Sequence, residues 1–337
     1  MTAPTLGLAL IAKDEEETLP NLLASVSGAF DQVVLADTGS TDRTVEVFEE
    51  WAAVEGERNP DFISTVGRFE WCDDFAAARN YADSLLDTDW LAWADCDDTI
   101  VGADRLRGVA ADVPGHVNAL VFDYYIALVE PTAEEPSPDP AIGKDYVRLV
   151  RRGSGPRWSG RMHEWKPYPA VDEALAVEAS LARWVTRRSP VRASSCERNM
   201  RILRRWIADE PTNLIPRRTV AAEEMLTGDI HRALEDLEDY LELKGPSMTA
   251  HEAQMAQYAV PRLKEVIGNT PADIPPDQRG VLEFLFVIAI DLPMFQASQP
   301  QSEAEVEANA EAPPVERRTR QQRRAEARAR AKELAAA

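Results

Sequence analysis

A chain of 337 residues with 45% hydrophobic content has the apolar material for about two domains with cores, and a formal charge of -21 disfavours long-range attraction to polyanions. Three cysteines, Cys72, Cys96 and Cys196, lie far apart without a Cys-x-x-Cys, which argues against a disulfide framework or a zinc knuckle and fits a reducing cytosol. The charge is uneven: acidic before Lys144, basic from Lys144 to Arg218 and acidic in sum beyond, so a local basic face can still hold a phosphate-bearing ligand.

Leu6 to Ala12 reads as a buried strand that stops at Lys13-Asp14-Glu15-Glu16. The acidic run and the missing cleavage-site pattern exclude a secretory signal. Thr18 and Pro20 are N-cap and first-turn residues for a helix from Leu19 to about Phe30. Gln32 to Ala36 is a second buried strand, ending at Asp37-Thr38-Gly39-Ser40-Thr41-Asp42, and that turn opens a helix from about Arg43 to Trp51 with Asp42 as its expected cap. Phe62 to Arg68 and then Asp74 to about Leu86 repeat the pattern of strand, loop and helix.

Trp90 to Ala94 is the next apolar run, too short for a helix, and it ends in Asp95, Asp97 and Asp98. Ligands of open α/β sheets bind at the carboxyl edge of the strands, and acids crowded there repel one another unless a cation or hydrogen-bond donors compensate them. Hard oxygen ligands suit Mg2+ or Mn2+. Taken alone, Asp-x-Asp-Asp is equally a solvated acidic turn after a core strand. Strands alternating with helices at this spacing predict a mostly parallel sheet covered on both faces, with three of its first four strands delivering acids to one rim.

Further on, Asn118 to Leu128 is a longer strand, Glu130 to Ile142 a polar loop, Tyr146 to Arg151 an edge or antiparallel strand, and Arg157 to Pro169 a loop dense in aromatics, Arg, His and Glu. From Ser194 the periodicity is helical. Asn199 to Ile207 is one helix, stopped by Pro211, and Val220 to Leu226 another. Gly228 to Pro246 has tetratricopeptide-like spacing, with Ala233, Leu237 and Tyr240 on one face. One such repeat cannot bury both its faces, so these helices are expected to lean on the preceding domain. Val281 to Phe295 is apolar but contains Glu283, Asp291 and Pro293 and falls short of the roughly 20 residues of a membrane span. Gln296 to Pro314 reads as a disordered linker and Arg317 to Lys332 as an Arg-rich tail, either a solvated charged helix or a nucleic-acid or partner contact.

Taken in order, KDEEETL, LADTGSTDRT, EWCDDFAAARN, WADCDD and GRMHEW resemble the family 2 inverting glycosyltransferases with the GT-A fold, over about the first 185 residues. The subgroup with tetratricopeptide-like helices after the catalytic domain is the nearest. The resemblance implies a fold class of α/β, GT-A (a Rossmann-like mixed sheet with helices on both faces), followed by an α-helical TPR-like region. The domains expected are 1–190, 194–295 and a linker with tail at 296–337.

The same resemblance implies that Asp14, Glu15, Asp37, Arg79, Asn80 and Asp95 bind a nucleotide sugar, and that Asp97 ligates a divalent metal, Mn2+ or Mg2+, with His163 a metal ligand or phosphate contact. Glu164 is the expected catalytic base and Asp98 a second free carboxylate beside the sugar. For Arg79 an ordinary ion pair with a rim acid is the alternative, and for His163 a packed, hydrogen-bonded role. The arginines between Arg148 and Arg192 are surface charges, or else meet the sugar diphosphate or an anionic acceptor.

The function expected is metal-dependent inverting transfer of a sugar, from a UDP-sugar by preference, to a macromolecular acceptor. Protein is favoured by the repeat-like helices, with DNA bearing hydroxymethyl bases as the alternative. A catalytically silent scaffold is the reading from another class. A nucleotidyltransferase is disfavoured because KDEEE lacks a Gly-rich phosphate loop. No transmembrane segment and a cytoplasmic location are expected.

Overall fold

The computed structural model describes residues 3–127, 143–154, 157–166, 173–178, 180–187, 193–227 and 229–245, with isolated positions 257, 260, 261, 264 and 265 beyond them. The chain divides into two compact units, Met1–Ser247 and Met248–Ala337, and every element named below belongs to the first. The loop Glu130 to Ile142, the end of the segment Arg157 to Pro169, the apolar stretch Val281 to Phe295, the linker Gln296 to Pro314 and the tail Arg317 to Lys332 lie outside the described residues.

Strands β1 (Leu6–Ala12), β2 (Gln32–Asp37), β3 (Ile63–Arg68) and β4 (Trp90–Ala94) pair in parallel in the order β3-β2-β1-β4. Beyond β4 the sheet turns mixed: β7 (Gly143–Arg151) runs antiparallel to β4 and to β6 (Ala119–Ala127), β9 (Arg183–Arg187) lies parallel to β6, and β5 (Asp98–Val101) closes the order antiparallel to β9. A short β8 (Ala174–Ala176) pairs with β6.

Alternation along the parallel strands builds two cores. Leu6, Leu8 and Leu10 of β1, Val33 and Leu35 of β2, and Trp90 and Ala92 of β4 face one side. There they meet α1 (Leu19–Val26) through Leu19, Leu22 and Leu23, α2 (Thr44–Arg58) through Phe48, and α4 (Leu106–Ala111) through Leu106. Ala9, Val34, Ala36, Leu91 and Trp93 face the other side, against Ala76 and Ala82 of α3 (Phe75–Ser84). Period-two strands with both faces apolar need helices on both faces, and burying each leucine contributes about 1.5–3 kcal/mol.

Boundaries differ from expectation where local backbone decides. Helix α1 stops at Val26 because Ser27 is extended and Gly28 takes φ 73. Thr18 occupies the N-cap position, but its hydroxyl donates to Glu15 Oε2 at 2.5 Å and makes no cap bond. Helix α2 runs on to Arg58; its N-cap position is held by Arg43, which makes no side-chain cap bond, and Asp42, the expected cap, lies one residue earlier and accepts from Thr44 N at 2.9 Å. Strands β5, β8 and β9 and helix α4 are short elements that periodicity did not reveal.

The helices α5 (Ala193–Asp209), α6 (Leu214–Thr227) and α7 (Ile230–Lys244) follow. Helix α7 is capped by Asp229 and buries Ala233, Leu237 and Tyr240, the predicted face. Helices α5 and α6 also share a cluster of Ile202, Leu203, Trp206 and Val220 with Met162, Trp71 and Phe75. That apolar seam is why they fall within the first unit instead of starting another.

Candidate active site

The carboxyl ends of the parallel strands converge as expected. Ala12 of β1 stands opposite Asp37 of β2, and Leu10 stands opposite Ala94 of β4, so the loop after β1 lies between the acids of its two neighbours. Asp14, with φ 56, takes the left-handed conformation that a short polar side chain tolerates, and its Oδ1 accepts from Thr41 N at 2.7 Å. Glu15 N donates to Thr44 Oγ1 at 2.7 Å, and Asp37 Oδ1 accepts from Ser40 N at 2.9 Å. These bonds tie the β1 and β2 loops into one rim.

Asp95, Asp97 and Asp98 follow β4 and bring one carboxylate oxygen each within 4.8 Å of one another. Their environments differ. Asp95 is 43% exposed, and the Arg79 and Arg148 charges overcome the effect of burial to hold its carboxyl below the usual range. Asp97 is pushed up to about 6, by burial first and then by the charge of Asp95. Asp98 is pushed up to about 7 by the same two causes.

Asp98 is not the free carboxylate expected. As the first residue of β5 it points inward and is wholly buried. One oxygen accepts from Asp95 N at 2.9 Å and the other from Tyr124 Oη at 3.2 Å, with Arg148 Nη1 3.7 Å away. It shapes the turn that presents Asp95 and Asp97. Tyr124, Arg148 and Thr186, which hydrogen-bonds Asp97, were not singled out from the sequence. They come from β6, β7 and β9, and only sheet pairing brings these strands behind the acids.

Helix α3 organises the other wall. Its N-cap Asp74 accepts from Ala77 N at 2.9 Å. One face then presents Phe75, Arg79 and Asp83, spaced four apart as a helix requires. The buried Arg79 guanidinium is fully engaged: Nη2 with Asp95, Nη1 with the Ala94 carbonyl at 3.2 Å, and Nε with Glu164 Oε1 at 3.0 Å. The ion-pair alternative for Arg79 is therefore what the structure shows, and it joins two expected site residues. The Asn80 amide is used at both ends by the Trp158 backbone, 3.0 Å each way, so it fastens the 157–166 segment. Asp83 accepts from Trp158 Nε1 at 3.0 Å and pairs with Lys166 at 2.7 Å, while Lys166 lies 4.7 Å from the Trp93 ring centroid.

The 157–166 segment is thus a pinned hairpin, closed by Ser159 and Trp165. Gly160, with φ 92, makes room for the Trp165 ring, which a Cβ there would meet at 2.4 Å. Glu164 is 14% exposed and faces α3. His163, with φ 49, has a 64% exposed side chain, and its Nε2 lies 3.6 Å from Glu223 of α6. Among the described residues, the acid group whose atoms lie within 4.8 Å does not include His163. Asp14, Asp73 and His163 are the described non-glycine residues with positive φ, and two of them, Asp14 and His163, are expected site residues.

Residues 8–112 match the family model of Glycosyl transferase family 2. The chain is 36% identical over 96 residues to a TPR repeat-containing protein of Synechococcus elongatus, covering 28% of this chain and 21% of that protein. It is 25% identical over 162 residues to the SPbeta prophage-derived glycosyltransferase SunS of Bacillus subtilis, covering 48% of this chain and 34% of that protein. The chain thus spans between 21% and 34% of the length of these curated relatives. Among solved structures, S. aureus TarS aligns with a TM-score of 0.43 at 12% identity, over 85% of this chain and 55% of that one. Glucosyl-3-phosphoglycerate synthase of Mycobacterium tuberculosis aligns with a TM-score of 0.28 at 18% identity, over 37% and 45%. The match to that family model runs from within β1 to the end of α4 and takes in the rim acids and Arg79.

Proposed function

We propose that this protein transfers a sugar from a nucleotide-diphosphate sugar, a UDP-sugar by preference, to a macromolecular acceptor with inversion. The observation that carries the reading is the bridge from Asp95 through Arg79 to Glu164. It holds an inward-facing carboxylate beside a rim of acids, within a chain whose residues 8–112 match a glycosyltransferase family.

In this reading Asp14, Glu15, Asp37 and Asp95 receive the nucleoside part of the donor, where ionised carboxylates accept hydrogen bonds from base or ribose. The oxygen donors of Asp97 and Asp95 suit a hard divalent cation: burial and then the charge of Asp95 raise the Asp97 carboxyl, and such a cation relieves the repulsive part. When bound, Mn2+ or Mg2+ would neutralise charge on the departing diphosphate. Glu164 takes the proton of the incoming acceptor hydroxyl or amide as its bond to the anomeric carbon forms and the bond to the diphosphate breaks. Arg79 orients Glu164 and Asp95, and Asp98 supports the turn.

A protein acceptor is favoured by the tetratricopeptide-like spacing of α7 with its buried Ala233, Leu237 and Tyr240. Incubating the full chain with labelled UDP-sugars, Mn2+ and either peptide or hydroxymethylated DNA tests the reading. Label transferred to the peptide supports it, and label on DNA moves the acceptor to the alternative. Neither transfer nor sugar-nucleotide hydrolysis would mean a catalytically silent scaffold. No helix among the described residues is long and apolar enough to cross a membrane.

A further inference from the structure

The rim is acid-rich, and the two arginines whose charges act on Asp95, Arg79 and Arg148, both lie against carboxylates. Arg79 is engaged by Asp95, Glu164 and the Ala94 carbonyl. Arg148 is sealed behind Asp98, 4.5 Å from the Tyr124 ring centroid. A pyrophosphate bound beside carboxylates needs positive charge beyond one divalent cation, and arginine supplies it with directed N–H donors.

Helix α5 carries an arginine placed to do this. The Arg198 guanidinium lies 5.1 Å from the ring centroid of Phe75, which shares a face of α3 with Arg79 one turn further on. Its Nε and Nη2 donate to Asn199 Oδ1 at 3.2 and 3.0 Å. The Asn199 amide in turn donates to both Glu223 oxygens at 3.3 Å, and Glu223 meets His163, the neighbour of Glu164. The charge of Glu15, in the loop after β1, acts on both Arg198 and Asp97. The guanidinium thus lies against α3, is linked to the 157–166 hairpin through Asn199 and Glu223, and feels the charge of Glu15 in the β1 loop.

Among the described residues Arg198 forms no ion pair, and its Nη1 makes no hydrogen bond. Burial, opposed by Glu223 and Glu15, lowers its pKa from the usual arginine value, the mark of a partly desolvated cation without a full counter-charge. Arg201, one turn along α5, differs: it clamps Asp73 through Nε at 3.1 Å and Nη2 at 2.8 Å and serves to dock the helix. Further docking comes from Arg161, which pairs with Asp209 at 2.6 Å, and from the seam of Ile202, Leu203 and Met162.

We propose that Arg198 is a donor-binding residue that contacts the diphosphate, supplied to the site by helix α5 from outside the matched family domain. This rests on the donor reading given above. The α-helical region then completes the donor site, and its docking is a condition of donor affinity.

The test is titration of the full chain with UDP in the presence of Mn2+, and with uridine, for the parent, Arg198→Gln and Arg198→Lys. UDP affinity should fall about tenfold to a hundredfold in Arg198→Gln, the usual weight of hydrogen bonds to a charged group, and recover in part in Arg198→Lys. Uridine, lacking phosphate, should bind all three alike. Equal UDP affinity in parent and Arg198→Gln overturns the assignment while leaving the donor reading intact. A matching loss of UDP and uridine affinity overturns it too, by showing a structural effect on the whole site. A parent that binds neither ligand defeats the donor reading, and the role of Arg198 falls with it.

Discussion

Arg79 and Glu164, 85 residues apart in the chain, meet through Nε and Oε1 at 3.0 Å, and the same guanidinium pairs with Asp95. A helix residue therefore sets the distance between the acid rim and the expected base. Replacing Arg79 by Gln should leave Glu164 and Asp95 without their counter-charge. Losing one partner of a buried pair costs about 3–5 kcal/mol, and the 43% exposure of Asp95 puts the expected loss at the lower end. A thermal melt unchanged from the parent would refute the structural role. Transfer should fall further than UDP binding, because Arg79 acts through the carboxylates it orients.

Glu164→Gln separates base from binding residue. If Glu164 takes the acceptor proton, transfer slows by about 10² to 10⁴ while UDP affinity in Mn2+ stays close to parental. If it mainly holds the donor, affinity falls along with the rate. Parental transfer rates in the variant would remove Glu164 from the mechanism, and Asp98, buried under Tyr124 and Arg148, offers no replacement.

The acid cluster predicts a pH dependence with a definite sign. Asp97 and Asp98 sit at about 6 and about 7, against 3.8 for a free aspartate. Between these values the folded chain holds protons that the unfolded chain has released, so without metal its stability falls as pH rises from about 4 to 7 and levels off above. A divalent cation competes with those protons. Added Mn2+ should therefore raise the melting temperature more at pH 7.5 than at pH 5.5, and Asp97→Asn should shrink the difference. Equal Mn2+ shifts at both pH values would contradict a metal at these carboxylates.

Gly160→Ala probes the hairpin directly. The new Cβ would meet the Trp165 ring in a backbone conformation that L residues rarely adopt, a combination expected to cost about 1–3 kcal/mol. Trp165 follows Glu164, so moving the ring should also displace the base. A lower melting temperature together with reduced transfer but near-parental UDP affinity is the expected outcome. Unchanged transfer would show that the hairpin tolerates the shift.

The sequence by itself determined the parallel half of the sheet, its two-sided core and the arrival of Asp14, Asp37 and Asp95 at one rim. These follow from period-two apolar runs joined by short polar loops, which are local properties of the chain. The buried face of α7 was legible for the same reason. The tertiary structure decided which carboxylate does what. Asp97 and Asp98 are neighbours in sequence, yet the start of β5 turns one toward the rim and buries the other against strands from later in the chain. It likewise decided that Arg79 and Asn80 hold the 157–166 segment and that His163 meets Glu223. Those roles rest on pairings across 60 residues or more, set by sheet order and helix docking, and no local pattern encodes them.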